Sequence, residues 1–86
     1  MDIQGKIKII GELQTFDSGF SKLQIVVTTA EQYPNDLPID FLKDKTDILQ
    51  NYNVGDDVKI GINLRGSEYE GKYYASIIGW KIERLQ

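Results

Sequence analysis

The sequence predicts an all-β fold: a five-stranded Greek-key barrel with one short helix between its third and fourth strands. Three observations predict it. Apolar and polar residues alternate with a period of two through most of the chain, as half-buried strands require. One segment alone, Asp44–Tyr52, carries a good helical pattern. Clusters of Gly, Pro, Asn and Asp cut the remainder into five runs. The chain has 86 residues, 41% hydrophobic and 27% charged, the composition of a globular protein. A chain this long is expected to form one domain over residues 1–86 with a single compact core.

The first strand is expected over Ile3–Gln14, with Ile3, Gly5, Ile7, Ile9, Gly11 and Leu13 on one face. Gly5 and Gly11 on that face predict bends or close backbone approach. A loop over Thr15–Ser21 follows, with Asp17, Ser18 and Gly19 at its tip between Phe16 and Phe20. Lys22–Thr29 is the second strand; Leu23, Ile25, Val27 and Thr29 face one way and Lys22, Gln24, Val26 and Thr28 the other. Ala30–Asn35 is a turn, because Tyr33 before Pro34 disfavours helix. Leu37–Leu42 is a third strand, which Pro38 marks as an edge or irregular strand.

The helix over Asp44–Tyr52 is expected to be capped by Asp44, with Asp47 three residues on. The turn at Gly55 launches the fourth strand, in which Val58, Ile60, Ile62 and Leu64 alternate with Lys59, Gly61, Asn63 and Arg65. Ser67–Lys72 is a hairpin turning at Glu70-Gly71. Tyr73–Arg84 is the fifth strand; Trp80 and Ile82 have the opposite parity from Ile77, which predicts a bulge near Gly79. Strands and helix in this order make the OB-fold, a partly open five-stranded barrel. An SH3-like barrel would not place a helix between strands three and four.

Composition excludes most chemistry. The chain has no cysteine and no histidine, so disulfides, thiolate nucleophiles, the usual zinc and haem ligands and imidazole bases are ruled out. Ser18, Ser21, Ser67 and Ser76 have no histidine to activate them. Asp56-Asp57 lacks the alternating spacing of a calcium loop, and no glycine-rich phosphate loop joins a strand to a helix. A non-enzymatic protein without cofactor or metal is expected. No apolar run approaches the ~18 residues that span a bilayer. The N-terminus lacks a signal-peptide layout. The expected location is therefore the cytoplasm.

The net charge of −3 argues against nucleic acid if taken as a sum, but its distribution matters more. Lys6, Lys8, Lys22, Lys59 and Arg65 occupy outward strand positions, whereas most acids fall in turns, the helix and the hairpin. Tyr69, Lys72, Tyr73 and Tyr74 surround the hairpin turn, and interleaved aromatic and basic residues suit base stacking with phosphate contact. Tyr73 and Tyr74 point to opposite faces, so at most one of them stacks; Tyr69 or Tyr73 is the expected platform. Phe16 and Phe20 are platforms of the same kind on the first loop. Parity leaves Phe41 open between groove and core. Trp80 is expected in the core or a subunit interface rather than against a ligand.

Several stretches resemble a family. Glu31-Gln32-Tyr33-Pro34, Val54-Gly55-Asp56-Asp57-Val58, Leu64-Arg65-Gly66-Ser67-Glu68-Tyr69-Glu70-Gly71-Lys72-Tyr73-Tyr74 and Gly79-Trp80-Lys81-Ile82-Glu83 resemble a small bacterial and phage family of single-stranded-DNA-binding-like OB domains. The chain departs from that pattern at Phe16–Phe20, where the first loop is usually longer, at Ser67, where a second basic residue is usual, and at Leu42, where an aromatic is usual. The resemblance implies sequence-independent binding of single-stranded DNA in replication or recombination, in a bacterial cell or for a phage, by a dimer or tetramer. The expected binding residues are Lys6, Lys8, Phe16, Phe20, Lys22, Lys59, Arg65, Tyr69, Lys72 and Tyr73. RNA on the same face is one alternative. A protein–protein or assembly adaptor using an exposed strand edge, without nucleic-acid binding, is the other, and the acidic balance permits it.

Overall fold

A computed structural model describes residues 1–85. Six strands run in the order β1 (Asp2–Ile10), β2 (Gln14–Thr15), β3 (Ser21–Thr29), β4 (Asp36–Leu42), β5 (Asp57–Tyr69) and β6 (Lys72–Arg84). A 3-10 helix, Lys43–Asn51, joins β4 to β5. The sheet order is β1-β5-β6-β4-β3-β2, and β1 also pairs with β3, so the sheet curls back on itself into a near-closed barrel. All pairings are antiparallel except β4 with β6, which run parallel and touch only at Asp40–Ile78 and Phe41–Gly79. Pro38 lies upstream of that contact, on a stretch of β4 paired with β3 alone, where its missing N–H breaks no second ladder.

Inward positions build the core. Ile7, Ile25, Val27, Ile39, Phe41, Val58 and Ile60 are almost wholly buried, and Leu49 of the helix plugs one end. Phe41 therefore belongs to the core. Its ring lies over Gly79, where an added Cβ would come within 2.5–2.8 Å of the ring carbons. The bulge expected near Gly79 is present: Gly61 pairs with Lys81 and Ile62 with Gly79, leaving Trp80 as the extra residue.

Several expectations need correction. β1 stops at Ile10 rather than Gln14, and its register slips between Ile7 and Ile9. The slip at Lys8 turns Ile9 to the outer face, opposite Val26, and Leu13 is exposed as well. The residues beyond form a separate two-residue strand, β2. The helix begins one residue early and has 3-10 geometry. Leu42 holds its N-cap position and no side chain caps it, so Asp44 lies within the first turn instead of capping it. Leu64 keeps the parity of the buried face but is 64% exposed, because β5 has by then outrun the barrel. Trp80 lies outside the core. It is 45% exposed, its ring against Gly61, where a Cβ would meet the indole at 2.9 Å.

A clasp closes the bottom of the barrel. Arg84 donates to the Asn51 carbonyl and, at 3.1 Å, to Asp56 Oδ2, while its guanidinium lies 4.7 Å from the centre of the Tyr52 ring. The Asn53 N–H donates to the same Asp56 oxygen at 2.9 Å, and that bond, followed by the one from Arg84, holds the Asp56 carboxyl below its usual pKa. Asp36 is lowered in the same way by Lys8 and then by the Thr28 hydroxyl. A folded pKa below the unfolded one contributes stability that is fully present above the unfolded pKa and is lost as pH falls through the folded one. Urea midpoints should therefore hold from pH 7 to about 5 and fall below about pH 4. Asp56→Asn should flatten that fall, and an unchanged acid limb in the variant would remove Asp56 from the account.

Candidate nucleic-acid interface

The β5–β6 hairpin is the most prominent surface feature. Its arms pair from Val58–Arg84 to Tyr69–Lys72, and every residue from Asn63 to Ser76 is exposed. The molecule measures 41 × 28 × 19 Å, elongated by this arm. Glu70 (φ 51°) and Gly71 (φ 79°) both occupy left-handed backbone, which gives the two-residue turn that matches strand twist. Such a turn makes Tyr69 and Lys72 a directly opposed pair, and this fixes the face of every residue behind them.

The two faces differ in chemistry. Opposed residues share a face, so the pairs Tyr69–Lys72, Ser67–Tyr74 and Arg65–Ser76 place Tyr69, Lys72, Tyr74 and Arg65 together on one side. The alternate pairs place Glu68, Tyr73, Ala75, Leu64 and Ile77 on the other. The first face thus carries two aromatic rings and two cations, with no acid among its strand residues. Neither Arg65 nor Lys72 forms an ion pair among the described residues. The expected grouping of Tyr73 with the basic residues is thereby divided, and Tyr74, not singled out from the sequence, takes that place. Counting outward from the turn would have found it.

At the other long loop, the Phe16 N–H donates to the Phe20 carbonyl at 2.8 Å, and Gly19 (φ 86°) donates back to Phe16 at 2.8 Å. The two phenyl rings are 6.0 Å apart and tilted by 40°. Lys43 Nζ stands 5.9 Å from the Phe20 ring centre. Between this loop and the helix lies a cleft of about 620 Å³, lined by Leu13, Phe20, Lys43, Thr46 and Asp47 among others. Phe16 is exposed; Phe20 is half-buried against the cleft.

The lysines expected on the barrel strands are not free. Lys8 Nζ is 2.8 Å from Asp36, Lys22 Nζ 3.8 Å from Asp40, Lys6 Nζ 3.8 Å from Asp57 and Lys59 Nζ 3.9 Å from Asp2. Lys59 lies apart from the hairpin cluster, on the β1–β5–β6 wall opposite Gln4 and Glu83. Asp36 and Asp40 lie on the outward face of β4, so acids are not confined to turns, the helix and the hairpin. Exposed pairs of this kind add little to stability, but they compensate the positive field of each lysine.

A family model described as a domain of unknown function (DUF3127) matches residues 2–83. The chain belongs to that family. Among curated proteins, none matches this DUF3127 chain. Solved structures do. The mitochondrial single-stranded DNA binding protein Rim1 of S. cerevisiae superposes with a TM-score of 0.83 at 18% identity, over 100% of this chain and 94% of that one. The single-stranded DNA binding protein of Thermus aquaticus gives 0.82 at 13% identity over 99% of this chain, which spans 48% of the larger protein. The N-terminal domain of PriB from Thermoanaerobacter tencongensis, described as dimeric, gives 0.74 at 20% identity over 100% and 94% of the two chains. At these identities the likeness establishes the fold, and the expected OB architecture is the one found.

Proposed function

We propose that this DUF3127 domain binds single-stranded DNA with little sequence preference, through the hairpin face that carries Arg65, Tyr69, Lys72 and Tyr74. That face is the observation that carries the reading: aromatic platforms beside uncompensated cations are what a sequence-tolerant single-strand site uses. The loop phenylalanines Phe16 and Phe20 offer the same stacking chemistry between β2 and β3. The fold is shared with proteins described as binding single-stranded DNA, which supports the reading without identifying residues. Self-association belongs to it as well, since a small barrel with unpaired strand edges gains by covering them. Sedimentation velocity should show a species larger than 9.8 kDa.

Fluorescence anisotropy of a labelled oligo-dT should rise on titration with the protein at low salt, while duplex DNA leaves it flat. Affinity should fall as salt rises, each phosphate contact on a single strand adding about 0.7 to the slope. Matched RNA in competition separates the DNA and RNA readings. The compensated strand lysines favour a second reading, a protein-binding adaptor. Absence of binding to any oligonucleotide at low salt would replace the first reading with the second.

A further inference from the structure

We infer that Asp36 and Asp40 are specificity-determining residues that keep the nucleic-acid backbone off the β3–β4 face and confine the strand to the hairpin. The inference rests on the single-strand reading above and adds the route of the strand. In OB-folds the face of the second and third long strands, here β3 and β4, is the usual oligonucleotide platform. In this chain β3 contributes Lys22, Gln24, Val26 and Thr28 to that face, and β4 contributes Asp36, Pro38, Asp40 and Leu42.

Asp36 is held by two hydrogen-bond donors, and Asp40 by one donor and one ion-pair partner. Gln24 Nε2 donates to Asp40 Oδ1 at 3.0 Å, and Lys22 stands 3.8 Å from its other oxygen. The Thr28 hydroxyl donates to Asp36 Oδ1 at 2.7 Å, and Lys8 donates to Oδ2 at 2.8 Å. A phosphate seeking Lys8 or Lys22 must displace a carboxylate that a second neighbour holds in place. Glu12 adds a further acid, lining the 260 Å³ recess beside Lys22 and Gln24.

The placement of Asp40 sets the boundary. Asp40 is the β4 neighbour of Ile78, and Ile78 is opposed to Asn63 on the same side of β6 as Tyr74 and Lys72. A strand that passes Arg65 and continues along β6 from Ser76 to Ile78 reaches Asp40 on the neighbouring strand. Its side chain is only 12% exposed, so water screens it poorly. The hairpin face offers cations without acids; the adjoining sheet face offers cations already occupied. A phosphate backbone follows the former.

The test uses the full chain in three forms: unaltered, Asp36→Asn with Asp40→Asn, and Lys8→Ala with Lys22→Ala. Asparagine keeps an oxygen for Thr28 and Gln24. Each is titrated into labelled oligo-dT across a salt series. Neutralising the two acids should tighten binding roughly tenfold and steepen the salt slope by about 1.4, the value of two added phosphate contacts. Removing the two lysines from the otherwise unaltered chain should leave the slope alone, since neither contacts a phosphate, while the two uncovered carboxylates weaken binding by less than about fivefold. The inference is overturned if the asparagine pair leaves affinity and slope unchanged while the unaltered protein binds. It is equally overturned if the lysine pair lowers the slope. Should the asparagine pair fail to fold, the lysine pair decides by the same criterion. Binding by the asparagine pair alone would support the gate and overturn single-strand binding by the native chain; binding by none of the three would overturn both.

Discussion

Replacing Tyr69 and Tyr74 together by alanine is expected to weaken oligo-dT binding roughly a hundredfold without unfolding the protein. Base stacking on an aromatic platform is worth about 1–3 kcal/mol per base, and each 1.4 kcal/mol is about tenfold in affinity. Both rings are exposed on the hairpin's basic face and neither belongs to the core, so their removal costs the barrel little. Tyr73→Ala is the internal control. It is at least as exposed, but it sits on the opposite face with Glu68 and Leu64. Its loss should change affinity by less than about threefold, below the low end of one stacking contact. If Tyr73→Ala instead proves the damaging change, the binding face is the other side of the hairpin. Anisotropy titrations of the variants, with circular dichroism melts to confirm folding, decide between these outcomes.

The second large effect concerns stability. Phe41→Ala is expected to destabilise the domain by about 3–5 kcal/mol, the cost of truncating a wholly buried phenylalanine. Domains have only about 5–15 kcal/mol in total. For a chain of this size each kcal/mol moves the melting temperature by roughly 4–8 °C, so a fall of at least about 12 °C should appear. The effect is large because Phe41 fills space that no neighbour can refill. Gly79 beneath the ring has no side chain to move into the void, and the two-pair contact between β4 and β6 is anchored there. Phe41→Leu should recover much of the loss. A variant that melts within about 3 °C of the unaltered protein would show that β4 and β6 are held together by something other than this ring.

Much of this architecture was legible in the residues. Alternation located all five major strands, since a sheet with one buried face imposes a period of two on the chain. Glu70-Gly71 located the hairpin turn, and the parity change between Ile77 and Trp80 located the bulge. Parity failed where a local slip left no mark in composition. The bulge at Lys8 moved Ile9 to the surface although isoleucine fits either face. It failed again at Leu64, because the pattern of a strand does not record where its barrel ends.

The candidate site divides in the same way. The residue types on the hairpin, and the exclusion of thiol and imidazole chemistry, were determined by the sequence alone, because they depend only on which side chains exist. The partners of the outward lysines were decided by the fold. Lys8 meets Asp36 and Lys22 meets Asp40 across 28 and 18 positions of chain, through pairings that no local pattern encodes. The same holds for Phe41, which the sequence leaves open between groove and core until β6 brings Gly79 beneath it. Charge and apolarity are properties of a residue, but compensation and burial are properties of its neighbours, and neighbours distant in the chain are assigned only when the sheet closes.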